Sequence, residues 1–502
     1  MEYTSNIQEN VSTINLKNKN VIVDGEVTAS KFIGDGSSIS NVKLDSVSAN
    51  SIAWGQSYID NYRNRLLDNG YTYFPNQSAY KFAKLKEMNL HNKASIVVSP
   101  SGVKASLLPA IKGLPLDFTR NSTATYIDED GVMQTALANV PRVTYDENGD
   151  ESILMESQST NLALYSNDFN NASWTKTAMT VSTNTHLSPS NELAADTVFE
   201  TATLANHAVV GGSISYVAGT TYTGSVFFKP NGRNIRLTCS NTSFTNTFNA
   251  IFDTTTKALI NTSVGGNGVV SDNSIEDYGN GWYRISVSGN LPTDTFIRFT
   301  VYSIDGTTSN FLGDVTKGLV IWGAQLEALP YATSYIPTEA STVTRVIETY
   351  SKTGLQNYIN STQGTFFIKC KSLTNKTGVD TFNISLNDGF TNNRVVIAYT
   401  SNSEIYILFT VSGVLVYDAF LNTDLTQIHS IAISWSENNF LTYINGNLIE
   451  EQLTGITFPV NTLNRISSSS GGVPWRSIPY IYNLQVFNQA LTDQELINLT
   501  TL

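Results

Sequence analysis

Residues 430–447 read SIAISWSENNFLTYINGN. Apolar and polar side chains alternate through 430–435 and again through 440–444, the period of strands with one face on a core. Asn445-Gly446-Asn447 supplies a tight hairpin turn, since Asn and Gly tolerate the positive φ that such turns require. The same alternation marks 364–369, 394–398, 405–409 and 480–487, so 346–502 reads as an antiparallel β-sandwich. Thr492, followed three residues later by Glu495, is a capping box for a short closing helix.

Upstream, 161–345 repeats the pattern. Strands are expected at 221–228, 235–238, 248–252, 282–287, 296–302 and 318–326, with Gly, Asn and Asp clusters between them. Such spacing favours two packed sheets of the jelly-roll kind. A chain of 502 residues is too long for one core. The fold class is therefore mainly β, with two antiparallel β-sandwich (jelly-roll) domains.

The remaining segments read differently. In 94–160, a connector, prolines at 100, 109 and 115 argue against long regular elements. In 57–93, a small helical segment, Tyr58, Tyr62 and Leu66 and then Phe82, Leu85 and Met88 recur every three or four residues, giving two short helices. Residues 1–56 hold short strands broken by Asp24-Gly25 and Gly34-Asp35-Gly36. Strands that short cannot close a core alone, so burial against sister chains is expected.

Composition excludes several functions. Lys+Arg number 30 against 42 Asp+Glu, a net charge of −12, and no basic stripe exists to neutralise a nucleic-acid backbone. Lys81, Lys84 and Lys86 fit a solvated helix face. The amino terminus lacks a basic start followed by an apolar core, so no secretory signal is expected, and no run of about 18 apolar residues could span a membrane. Cys239 and Cys370 fall in different sandwiches and are expected to be buried free thiols.

Candidate chemistry is sparse. His91, His186, His207 and His429 have no partner at metal-ligand spacing. The carboxylates at 128–130, 146–147 and 450–451 occupy turn or hairpin positions that are commonly solvated. No catalytic residue is assigned, and no enzyme is expected. Asn387-Asp388-Gly389 offers oxygens that suit either calcium or a turn, so metal binding stays open and no cofactor is assigned. Residues 467–479, SSSSGGVPWRSIP, place Trp475 and Arg476 in a Ser/Gly/Pro loop, where the indole is either a surface platform or a packed anchor. Trp475, Arg476, Asn387 and Asp388 are the candidate glycan contacts, because sugars are held by aromatic faces and planar polar groups. Trp54, Trp282, Trp322 and Trp435 read as core, and Trp174 falls between the cases.

Several phrases carry a family resemblance. In the connector these are Phe118-Thr119-Arg120, the acidic turn 128–131, Asn139-Val140-Pro141-Arg142, Leu154-Met155-Glu156 and Thr160-Asn161-Leu162. In the first sandwich they are 222–229 (YTGSVFFK), 279–284 (GNGWYR), 321–327 (IWGAQLE) and 331–338 (YATSYIPT). They resemble bacteriophage tail-fibre and related virion fibre proteins, with 161–345 similar to carbohydrate-binding modules. The phrase at 23–42, VDGEVTASKFIGDGSSISNV, is similar to a module of phage fibre shafts. Residues 442–446 and 481–496 resemble concanavalin A-like, laminin-G-like domains. What the resemblance implies is a virion fibre made in the bacterial host cytoplasm, a homotrimer held to other virion proteins through 1–56 and adhering to host cell-surface glycans as a receptor-binding protein. Its alternatives are a structural head fibre or tail-collar decoration and a polysaccharide depolymerase spike, although the alternating Glu strand motif of concanavalin A-like glucanases is missing from 346–502.

Sedimentation of the full chain checks the trimer. Three copies of the 54.9 kDa chain are expected to move together, and a monomer at all concentrations would overturn the expectation.

Overall fold

The computed structural model describes residues 93–100, 116–146, 149–375, 382–469 and 476–501, all within one compact unit. The expectations for 1–56 and for the helices of 57–92, together with Trp54, His91 and Trp475, lie outside the described residues.

The architecture is the expected pair of antiparallel sandwiches. In the first, a six-stranded sheet runs in the order Val269–Asp277, Tyr283–Asn290, Tyr222–Lys229, Gly318–Glu327, Leu193–Glu200, Met179–Leu187. It packs on an eight-stranded sheet whose spine is Ala258–Gly265, Thr247–Asp253, Asn234–Ser240, Phe296–Ile304 and Leu204–Gly211. Strand alternation sets the core between them: Val226, Phe228 and Ile285 from one sheet face Leu237, Phe248 and Phe299 from the other. Trp174, Trp282, Trp322 and Trp435 are all buried, and so are the free thiols Cys239 and Cys370, one in each sandwich core.

In the second sandwich one sheet contains Asn447–Gln452, Asn439–Ile444, His429–Ser436, Gly364–Lys371 and Tyr480–Phe487 in that order. The other contains Thr349–Lys352, Arg465–Ser467, Phe382–Asn387, Arg394–Tyr399, Glu404–Val411 and Val414–Asn422. Asn445 at φ 50° and Gly446 at φ 81° make the expected hairpin turn between Asn439–Ile444 and Asn447–Gln452. The capping box of Thr492 and Glu495 starts the helix Asp493–Thr500, which buries Leu496 and Leu499 against Phe367, Leu441 and Phe487.

Both sheets of the second sandwich also take strands from far upstream. Ala94–Val98 and Glu151–Leu154 pair with Tyr480–Phe487, Arg142–Tyr145 pairs with Glu151–Leu154, and Asp117–Thr119 pairs with Thr349–Lys352. The first sandwich is thus inserted into the second. The chain enters and leaves it through a two-stranded neck, Ser159–Asn161 against Val343–Arg345.

Each sandwich has a glycine whose missing side chain makes room for a core ring. A Cβ on Gly224 would lie 2.4 Å from the Phe299 ring, and one on Gly364 would lie 2.5 Å from the Trp435 ring. Both rings are buried and cannot swing aside cheaply. Gly224→Ala and Gly364→Ala are each expected to cost about 1–3 kcal/mol in thermal unfolding. An unchanged Tm for both would show that the rings relax.

Candidate functional site

The neck is surrounded by ionic side chains brought in from four sequence regions. Nη1 of Arg120 lies 2.7 Å from Oε1 of Glu348, while its Nε donates to the Ser122 carbonyl at 2.9 Å. Arg142 is bidentate on Glu348, with Nε to Oε1 at 2.9 Å and Nη2 to Oε2, and that Nη2 also reaches Oε2 of Glu156 at 2.7 Å. Arg345 lies on the other side of Glu156 at 2.9 Å. These five side chains are 0–1 % exposed, so the charges are effectively out of water. Removing charges from water is costly unless each is paired and its remaining hydrogen-bonding groups are used, and here the pairing is dense.

Ser334 completes the group. Its amide donates to Oε1 of Glu156 at 2.7 Å, its hydroxyl donates to Oε2 at 2.5 Å, and the hydroxyl accepts from Arg142 and Arg345. Burial pushes the Glu156 carboxyl up, but Arg345, Arg142 and the two bonds from Ser334 outweigh it and bring it down to about 2. Asn161, fully buried at the neck, donates to the carbonyls of Ala324 and Ile336 and accepts from the amides of Ala163 and Leu326.

Next to this group an open cleft of about 840 Å³ lies between the two sandwiches. Its floor includes Glu156, Ser334, Thr333 and Arg284. Arg284 is held by the Thr333 carbonyl at 2.6 Å and the Ser225 hydroxyl at 2.9 Å, with its guanidinium 5.1 Å from the centre of the Phe227 ring. One wall belongs to the second sandwich: Tyr145, Tyr480, Tyr482 and Lys371, whose ammonium stands 5.0 Å from the Tyr480 ring centre. The facing wall belongs to the first: Glu276, Asp277 and Tyr278. The turns carrying Asp128, Glu129 and Asp130, and Asp146, close the rim.

Local turn chemistry aims the rim. Oδ1 of Asp128 accepts from the amides of Asp130 and Val132, Oδ1 of Asp146 accepts from that of Asp150, and Oδ1 of Asp277 accepts from that of Gly279. Burial, and then the charge of Glu276, push the Tyr278 phenol up to about 12. Burial, with Glu276 and Tyr278 opposite, raises the Tyr480 phenol well above its ordinary value. Both stay protonated and able to donate at neutral pH. The arrangement offers aromatic surface, hydroxyl donors and carboxylate acceptors in one groove, which are the parts used to hold a polyhydroxylated ligand.

The sequence candidates lie elsewhere. Asn387 is fully buried, and its amide is used by Ser385, Ser467 and the Gly389 N–H. Asp388 accepts from the Phe390 amide at 2.9 Å and from Asn393 at 2.8 Å, the turn alternative of the two that its sequence left open. Neither lines the cleft. The backbone of Arg476 pairs in parallel with Phe382 in the second sandwich, and Trp475 is outside the described residues. Among the described residues no group of three or more His, Cys, Asp or Glu side chains is placed to hold a metal. The acidic turns were legible as turns. That two of them face Glu276 and Asp277 from another domain was not, because the topology alone brings them together.

No known family model matches this chain, and no curated protein sequence matches it. Solved structures similar to parts of it include jelly-roll and lectin-like domains. One is the CBM40 of the Ruminococcus gnavus IT-sialidase, at 18% identity over 28% of this chain and 83% of that chain, with a TM-score of 0.24. Another is domain 4 of AbnA, a GH43 extracellular arabinanase from Geobacillus stearothermophilus, in complex with arabinotriose, at 14% identity, 34% of this chain, 81% of that chain and a TM-score of 0.25. A third is mouse laminin alpha1 chain domains LG4-5, at 6% identity, 56% of this chain, 88% of that chain and a TM-score of 0.20.

The depressed Glu156 carboxyl has a pH consequence. Its stabilising effect is complete above the ordinary value of 4.5 and is lost as pH falls through about 2, because the unfolded chain then binds the proton more readily. Wild-type stability is expected to fall by about 3 kcal/mol across that window from this group. Glu156→Gln should lower stability at neutral pH and flatten the decline, and equal slopes in acid-unfolding curves would refute the assignment.

Proposed function

We propose that this chain is a fibre protein of a bacteriophage particle that holds glycans of the host surface, with the cleft between the sandwiches as the place where it holds them. The observation that carries the reading is the cleft itself: about 840 Å³, walled by Tyr145, Tyr480 and Tyr278 and rimmed by hydrogen-bonding side chains. A sugar ring presents apolar C–H faces and a girdle of hydroxyls, and this groove offers rings for the first and carboxylates, phenols and an ammonium for the second. The phage context comes from the resemblance of the connector and sandwich phrases.

In this reading the protein acts by holding, as one of three sister chains on a particle anchored through 1–56. Open polar grooves bind single sugars weakly, and linked copies turn weak contacts into lasting adhesion. Non-catalytic binding is favoured by Glu156, the deepest carboxylate in the groove. Held ionised by two arginines, it cannot supply the proton that a glycosidase acid gives to its leaving group.

One observation favours a second reading. Burial, and then the neighbouring Asp146, raise the Asp150 carboxyl, which is the direction a general acid needs. A depolymerase using Asp150, which stands beside the rim residue Asp146 and outside the cleft lining, would release new reducing ends from host polysaccharide.

Tyr480→Ala and Lys371→Ala test the binding reading. Each is expected to weaken host-cell or glycan-array binding by about three- to tenfold, the range of one lost aromatic or polar contact, with the fold retained by circular dichroism. Unchanged binding in both variants would move the site out of the cleft. Release of reducing ends that Asp150→Asn abolishes would replace adhesion by hydrolysis.

A further inference from the structure

We infer that the cleft discriminates by charge and takes a glycan carrying protonated amines in preference to a neutral one, and a neutral one in preference to a carboxylated, sulfated or phosphorylated one. The inference rests on the cleft being a glycan site.

Charge on the cleft surface is lopsided. Glu129, Asp130, Glu276 and Asp277 are exposed at the rim, and Asp128 and Asp146 stand half-buried beside them. The lysine in the lining is Lys371, and its ammonium is drawn over the Tyr480 and Tyr482 rings at 5.0 and 5.9 Å. Arg284, opposite Glu276 on the next strand, offsets part of that charge from below the mouth. It is 2% exposed on the floor and tied to the Thr333 carbonyl and the Ser225 hydroxyl.

Carboxylates on one wall and along the rim of a groove focus the negative potential where a ligand enters. A ligand bearing carboxylate or sulfate meets repulsion from Glu276 and Asp277 on one wall and from the acidic turns at the rim. A ligand bearing ammonium groups is attracted by the same field and can donate to carboxylate oxygens. The aromatic wall is indifferent to this choice, since it contacts the apolar ring faces that all three ligand types share. Tyr482, 7% exposed behind that wall, has a hydroxyl without a hydrogen-bond partner among the described residues.

Calorimetric titration of the full chain with three oligosaccharides of matched length tests this: a glucosamine oligomer, its N-acetylated counterpart and an oligogalacturonate. A mildly acidic pH keeps amines protonated and exposed carboxylates ionised. The glucosamine oligomer is expected to bind about fivefold more tightly than the N-acetylated one at low salt, and the uronate more weakly than both. The gap should close at about 0.5 M salt, where screening acts within a few ångströms. The quadruple variant Glu129→Gln, Asp130→Asn, Glu276→Gln, Asp277→Asn, with its fold checked by thermal melting, should shrink the gap as well. A uronate that binds as tightly as the glucosamine oligomer, or a gap that survives the quadruple variant, overturns the charge inference alone. If none of the three binds, the glycan reading of the cleft falls with it.

Discussion

The two sandwiches are tied by a set of charges that water cannot reach. Arg142 stands between Glu348 and Glu156, with Arg120 and Arg345 outside them, at the place where the chain leaves one domain for the other and returns. A two-stranded neck would otherwise be a hinge, since short paired strands have few contacts of their own. The ionic group removes that freedom, because rotating one sandwich against the other would pull Ser334, where the chain leaves the first sandwich, from Glu156, Arg142 and Arg345. Breaking such a pair by removing one partner typically costs about 3–5 kcal/mol. The relative orientation of the sandwiches, and so the shape of the cleft between them, follows from this group.

The insertion explains why the group must be here. Strands from 94–154 complete the sheets of the second sandwich before the first sandwich begins, so the chain crosses the same spot twice. Each crossing contributes one acid, Glu156 outbound and Glu348 inbound, and the two are joined through backbone as well: the Glu156 amide donates to the Glu348 carboxylate at 2.7 Å, and the Glu348 amide donates to the Glu156 carbonyl at 3.1 Å. An apolar neck of the same size could be more stable in total, yet it would slide more freely. Charged partners fix one register because a shift would part Glu156 and Glu348 from the guanidiniums that hold them.

Much of the fold was legible from alternation alone. The strand expected at 480–487 is Tyr480–Phe487, that at 221–228 is shifted by one residue, that at 440–444 starts one residue earlier, and the hairpin at Asn445-Gly446 and the cap at Thr492 stand where their side chains dictate. Those signals are local. The ionic group was not legible, although its members sit inside the phrases that carry the resemblance: Arg120 in Phe-Thr-Arg, Arg142 in Asn-Val-Pro-Arg, Glu156 in Leu-Met-Glu and Ser334 in Ala-Thr-Ser-Tyr. Arg120 and Glu348 are 228 positions apart, and no periodicity links residues at that distance. A clue existed in Glu156, an acid directly after the apolar run Ile153-Leu154-Met155. Its burial called for a cation from elsewhere in the chain. Asn387 and Asp388 lie outside the cleft lining, Asn387 engaged by Ser385, Ser467 and the Gly389 amide, and Asp388 by the Phe390 amide and Asn393.

The acidic rim is the part of the structure that stability explains least. Asp128, Asp146 and Asp277 accept backbone amides, a role that asparagine fills equally well in turns. Nothing in the turn chemistry calls for acids at Glu129 or Asp130, whereas Glu276 stands opposite Arg284 on the next strand. Gathering like charges raises the free energy of the folded state, and a net charge of −12 already repels acids from one another. A neutral rim would fold at lower electrostatic cost on the same turns. Carboxylates facing each other across a fixed groove are therefore better explained by what enters the groove than by what holds the protein together, in keeping with the tendency of locally unfavourable groups to collect where a protein works.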